Sequence, residues 1–220
     1  MIWSALQISL VVVACSTFTV GILGLGIAYI LARYEFFGKE LLDALLTMPL
    51  VLPPTVTGFF LLVLLGKRGI LGAPLYDLTG FSFVFTWQGA AIAAVIVSLP
   101  LMIKASRAGI ESVEQEYELA SYTLGKSKFE TFLRITLPLA RKGVLAGLIL
   151  SFARAFGEFG ATLMIAGNIP ERTQTLPLAI YEAVSIGNDK AAFVIALILT
   201  SISVAAVYLT NKLNRSYLFG

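Results

Sequence analysis

The sequence has no histidine, one cysteine (Cys15), and only 13% charged residues over its 220 positions. Each shortage excludes something. A single cysteine cannot close a disulfide within the chain. Without histidine, neither a His/Cys metal site nor a thiol–imidazole nucleophile can be assembled. Soluble domains carry about 25% charged residues, so a chain that is 58% hydrophobic with a mean hydropathy of +0.88 does not read as a water-soluble globule. Any activity must come from carboxylates, Arg and Lys, hydroxyls and backbone. The net charge of +3 is mild and bears on membrane topology, not on binding nucleic acid.

What the chain has instead is long apolar runs. No charge precedes Arg33, and the stretch from Met1 to Ala32 is too long for a signal-peptide core and lacks a basic start. A span needs about 20 residues, which predicts spans at Ala5–Leu31, Leu41–Gly66, about Phe85–Ile103, Gly143–Gly167 and Ala191–Leu209. Gly21, Gly24 and Gly26 in the first would let a neighbouring helix approach closely. Pro53 and Pro54 interrupt the second, removing two backbone donors and restricting the residues before them, so that run is kinked or split. The fold class is an all-α bundle of five spans, or six if the proline break yields two crossings. Residues 1–220 form one membrane domain without internal repeats.

Basic residues set the expected orientation. Alternating loops place Arg33, Lys39, Lys104, Arg107, Lys126, Lys128, Arg134, Arg141, Lys142, Lys212 and Arg215 on one side, and Lys67, Arg68, Arg172 and Lys190 on the other. The excess marks the first side as cytoplasmic, with the N-terminus outside and the C-terminus inside. The loop of about residues 111–138 is then cytoplasmic. In it, Val113, Tyr117, Ala120 and Leu124 share one helical face, while Glu111, Glu114, Glu118 and Ser121 share another. Gly125 supplies a left-handed stop, and Ser127–Glu130 has the capping-box pattern that starts a second helix with Phe129, Phe132 and Leu133 on its apolar side. Three readings stay open on this evidence: a helix on the lipid surface, self-packing within the bundle, or docking to a basic groove on a cytoplasmic partner. Glu111, Glu114, Glu116 and Glu118, unaccompanied by a basic residue in that helix, count against an anionic lipid surface.

The segment resembles the EAA signature of ABC importer permeases, in which Glu-Ala-Ala is followed by glycine and later by Ile-x-Leu-Pro. Gly125, Ile135, Leu137 and Pro138 stand in that spacing. The Glu-Ala-Ala positions fall on Leu119, Ala120 and Ser121, so only Ala120 matches, and Glu118 stands one residue early. "MPLVLPPTVTGFFLLVLLGKRGILG" (Met48–Gly72) and "FARAFGEFGATLMIAGNIPERTQTLPLAIY" (Phe152–Tyr181) are similar to the molybdate-type permeases of that group, with tungstate and sulfate permeases as relatives. The resemblance implies a homodimer, two cytoplasmic ATPase subunits that hold the ATP and magnesium, and an extracytoplasmic oxyanion-binding protein, all in a prokaryotic cytoplasmic membrane. It also implies that Glu118, Ala120, Leu124, Gly125, Ile135, Leu137 and Pro138 couple to the ATPase, Glu118 as a charge partner for its groove. No cofactor or metal is expected in this chain, which has no GxxxxGK[ST] phosphate loop.

Three further features are candidates. Arg154 and Glu158, four residues apart inside an expected span, form either a structural ion pair or part of the anion pathway, where Arg154 would attract a dianion. Pro53 and Pro54 are either a packing kink or a broken helix that lines the path. Asn168–Val184, with Glu171 and Arg172, is a docking surface for the binding protein, a partly re-entrant gate, or a plain loop. An enzyme would require a Ser/Lys, Ser/His or paired-Asp constellation in the spans, and none is present. A secondary transporter would need coupling carboxylates, and the spans offer only Glu158 plus Asp43 near an interface.

Overall fold

The computed structural model describes residues 2–216, with side chains through residue 208. The side chains of Lys212 and Arg215, counted above for orientation, lie outside the described part. Among the described residues every regular element is helical: α1 (Ile2–Arg33), α2 (Lys39–Val51), α3 (Pro54–Leu65), α4 (Gly72–Thr79), α5 (Trp87–Glu111), α6 (Gln115–Thr123), α7 (Lys128–Thr131), α8 (Leu137–Phe156), α9 (Gly160–Ala166), α10 (Leu176–Ser185) and α11 (Asp189–Ser216). A π-helical turn, Phe132–Thr136, joins α7 to α8 without a break.

The centre is α5, packed against α1 on one side and α8 on the other. In lipid the hydrophobic effect does not draw helices together, so association rests on close packing of small residues. Gly109 and Gly143 supply it between α5 and α8: a Cβ on Gly143 would stand 2.6 Å from the Gly109 Cα. Ala90, Ala93, Ala94 and Ser98, all fully buried, continue the close packing along α5. Of the three glycines expected to admit a neighbour to α1, Gly24 meets Met102 and Gly21 meets Leu148, whereas Gly26 faces open space.

The double proline breaks its run as the sequence predicts. Leu52 and Pro53, each preceding a proline, are both extended, and α2 and α3 diverge by 115°. At 1.5 Å per residue α2 and α3 are each about 20 Å long or less, shorter than the ~30 Å hydrocarbon core. Asp43 in α2 pairs with Lys104 and Arg107 near one end of α5. Gly58 in α3 packs on Ala161 of α9, whose Ile165 carbonyl accepts the Phe85 N–H at the other end of α5. Among the described residues four helices are long and apolar enough to cross a membrane, and counting this bent pair as one broken crossing makes five.

Two expected boundaries move. The fourth span is not Gly143–Gly167: it falls within the continuous helix Lys128–Phe156, which stops at Gly157 before α9 begins. The first helix of the polar segment does not begin at Glu111. That residue closes α5, where its carboxylate accepts from Arg107 one turn earlier, and α6 starts only at Gln115.

Candidate functional site

The polar segment lies at the end of the bundle where α1 and α5 finish. Its two turns are closed by local chemistry. Gly125 is left-handed (φ 78°), its N–H donates to the Tyr122 carbonyl, and the Lys126 N–H reaches back to Ser121. Ser127 and Glu130 then form the reciprocal capping box that starts α7. The Ser127 backbone N–H, followed by Lys126 and Arg134, holds the Glu130 carboxyl below the usual range, so this cap is charged at neutral pH.

The face that α6 turns inward is polar. Glu118 is 5% exposed, and its Oε1 accepts from Arg33 Nε at 3.0 Å and from Thr136 Oγ1 at 2.6 Å. Arg33 also donates to the Val113 carbonyl at 2.9 Å. Ser121 and Thr131 hydroxyls meet at 2.9 Å. One carboxylate thus fastens the last residue of α1, the middle of α6 and the entry to α8. This corrects the expectation that Glu118 offers its charge to a partner. It also corrects the expected apolar face, because Val113 lies outside α6 and is buried beside Val20, Ala28 and Ile110.

The outward side carries an apolar strip beside the exposed Gln115, Glu116 and Thr123. Tyr117, Ala120 and Leu124 (81% exposed) combine with Ile135, Pro138 and Leu139 in a groove of about 700 Å³, rimmed by Lys126, Glu130 and Arg134. Leu137 is partly buried against the bundle. A helix on a water-soluble core buries its apolar side. Here the polarity is reversed, and the apolar side is left uncovered beyond the end of the spans.

A second carboxylate is buried at the other break. Glu158 follows α8, 3% exposed; its Oε2 accepts from Arg154 at 2.6 Å and its Oε1 from the Ala161 N–H at 2.7 Å. It closes the start of α9 as well as pairing with Arg154, whose side chain keeps 29% exposure. A Cβ on Gly160 would stand 3.1 Å from Pro54 Cβ. The two helix breaks, Pro53–Pro54 and Gly157–Phe159, therefore meet, although about a hundred residues separate them in sequence.

Glu171 and Arg172 are exposed at the tip of a tight turn, in which the Ile169 carbonyl accepts from the N–H groups of Arg172, Thr173 and Gln174. Beneath that tip is a cluster that sequence reasoning missed. Gln174, fully buried, donates to Glu182 and to Asn168 Oδ1 at 3.1 Å, and Asn168 donates to Glu182 at 3.1 Å. The signal was that Gln174 and Glu182 fall eight residues apart, on either side of the apolar run Leu176–Ile180.

A helical membrane bundle in which two helix breaks meet and an apolar strip is left uncovered at one end suits a multi-pass transport subunit. The profile described as binding-protein-dependent transport system inner membrane component matches residues 22–218. The chain belongs to that family. It is 40% identical to the molybdenum transport system permease protein ModB of Escherichia coli (strain K12), over 97% of this chain and 93% of that one. It is 41% identical to the putative molybdenum transport system permease protein YvgM of Bacillus subtilis (strain 168), over 93% and 90%. The sulfate transport system permease protein CysW of Synechococcus elongatus is 36% identical over 87% of this chain and 66% of its own length. The transmembrane fold is shared with the bacterial alginate ABC transporter solved with its periplasmic protein, at TM-score 0.80 and 13% identity, over 97% of this chain and 78% of that one.

Proposed function

We propose that this chain is the membrane subunit of an ATP-driven, binding-protein-dependent importer of molybdate, working as a homodimer in the cytoplasmic membrane of a prokaryote. The observation that carries the coupling is the reversed polarity of α6. Its polar face is satisfied internally by Arg33, Thr136 and Thr131, so the exposed Tyr117, Ala120 and Leu124 are free to enter a groove on a cytoplasmic ATPase. Because α7, the π-helical turn and α8 are continuous, a push on α6 is carried through Glu118 and Thr136 into a membrane span as a rigid-body motion. ATP and magnesium belong to that partner. The N-terminus is outside and the C-terminus inside, which puts Glu171 and Arg172 at the outer face for a substrate-delivering protein.

Arg154 and the two opposed helix breaks form the centre of the path. A partly exposed guanidinium attracts a dianion, and the neighbouring Glu158 keeps that attraction weak enough for release. The molybdate reading rests on 40% and 41% identity over 97% and 93% of this chain to molybdenum permeases, against 36% and 39% over 87% and 84% for two sulfate permeases, which it covers to 66% and 50% of their own length. Proteoliposomes holding this chain with its ATPase and binding subunits test it. ATP-dependent uptake of molybdate, competed by tungstate and not by sulfate, is expected; uptake of sulfate in preference to molybdate contradicts it.

A further inference from the structure

Two hollows on the outer side of α1 run into one another. One is apolar, about 550 Å³, between Gly21, Leu25 and Gly26 of α1 and Phe129 and Phe132 beyond Gly125. The other is polar, about 200 Å³, between Arg33, Tyr34, Tyr122 and the foot of α6. Tyr29 and Lys128 line both. A third apolar hollow, beside Phe18 and Phe152, shares Gly21 and Ile22 with the first and carries the track on to Ala14. From residue 14 to residue 29 the track follows about 22 Å of helix, more than the ~15 Å depth of one leaflet in a ~30 Å hydrocarbon core.

The track lies along a membrane span, so whatever fills it is hydrocarbon or protein and not water. A Cβ on Gly26 would meet no atom within 4 Å, so the chain itself leaves this floor open. The polar end has a charge of definite sign. Arg33 is neutralised by Glu118, whereas Lys128 is exposed, stacks over the Tyr34 ring at 5.3 Å, and has no ion pair among the described residues. An apolar track ending in a free ammonium with tyrosine hydroxyls beside it matches an acyl chain joined to a phosphate. A zwitterionic headgroup would bring a second ammonium to Lys128 and find no free carboxylate there.

We propose that this groove binds one anionic phospholipid, with an acyl chain along Gly21–Phe132 and its phosphate on Lys128. The headgroup then sits beside the Arg33–Glu118 tie and at the first residue of α7, so membrane lipid helps fix the angle at which α6 is presented. A second copy of this chain is the competing occupant.

The complete complex, delipidated in detergent and titrated with phosphatidylglycerol or phosphatidylcholine, is read by native mass spectrometry. The wild type should retain phosphatidylglycerol in preference to phosphatidylcholine. Lys128→Ala should weaken phosphatidylglycerol binding about fivefold, the worth of one basic residue at a charged membrane surface, while Lys128→Arg restores it. Gly26→Leu, which fills open space, should abolish retention without lowering the melting temperature of the lipid-free complex. Three results would each overturn the assignment: equal retention of phosphatidylglycerol by Gly26→Leu and wild type, displacement of the lipid by millimolar inorganic phosphate, or loss of self-association in Gly26→Leu.

Discussion

Glu118 shows how much a single buried carboxylate can organise. It accepts hydrogen bonds from residues 85 and 18 positions away, Arg33 and Thr136, and so closes the foot of the bundle. Glu118→Ala leaves Arg33 buried without its partner, a change that costs about 3–5 kcal/mol. A melting curve of the purified chain should drop accordingly; an unchanged curve would mean that the carboxylate faces solvent. Arg154→Gln is expected to behave differently, because Glu158 keeps the Ala161 N–H. That variant should assemble normally and transport several-fold more slowly, and wild-type flux would remove Arg154 from the path. The sequence showed that these charges sit in or beside apolar runs. The i, i+4 spacing also paired Arg154 with Glu158, as the structure has it; the partners of Glu118 were beyond reach, since no spacing rule links it to a residue at the end of another helix.

At the scale of elements, local chemistry was legible and tertiary choice was not. The left-handed Gly125 and the Ser127–Glu130 capping box follow from neighbours within four residues, and the structure has both. The break after Val51 follows from two consecutive prolines. By contrast, the place of the carboxylate could not be read: the sequence put Glu118 beside the apolar face as a charge for a partner, and the fold turns it inward. Hydrophobic periodicity separates the two faces without saying which one the bundle takes, and here Ser121 and Glu118 face it while Leu124 does not. Gly125→Pro should separate fold from coupling. Proline holds φ near −65° and has no N–H, so it cannot keep φ 78° or the bond to Tyr122. The expected result is intact insertion in the membrane with loss of substrate-stimulated ATP hydrolysis; full stimulation would exclude the elbow from the coupling route.

For the whole molecule, composition alone indicated a membrane bundle, and the charge distribution gave an expected orientation. The path of the proline-split run needed the structure, because only packing shows α2 near one end of α5 and α3 near the other. The meeting of Pro54 with Gly160 was equally invisible in sequence, since it joins two breaks about a hundred residues apart. Orientation is open to a direct check. Cys15 being the one native cysteine, an Arg172→Cys variant should react with a membrane-impermeant thiol reagent in intact spheroplasts, and a Leu124→Cys variant only after permeabilisation; the reverse pattern would invert the topology.

The central claim is that the uncovered apolar face of α6 holds the ATPase. Leu124→Asp tests it most directly, since Leu124 is 81% exposed and its replacement disturbs nothing inside the bundle. The variant should fold and insert as the wild type does, yet fail to retain the ATPase subunit on co-purification, with substrate-stimulated ATP hydrolysis lost in parallel. Retention of the ATPase at wild-type stoichiometry and stimulation would contradict the claim.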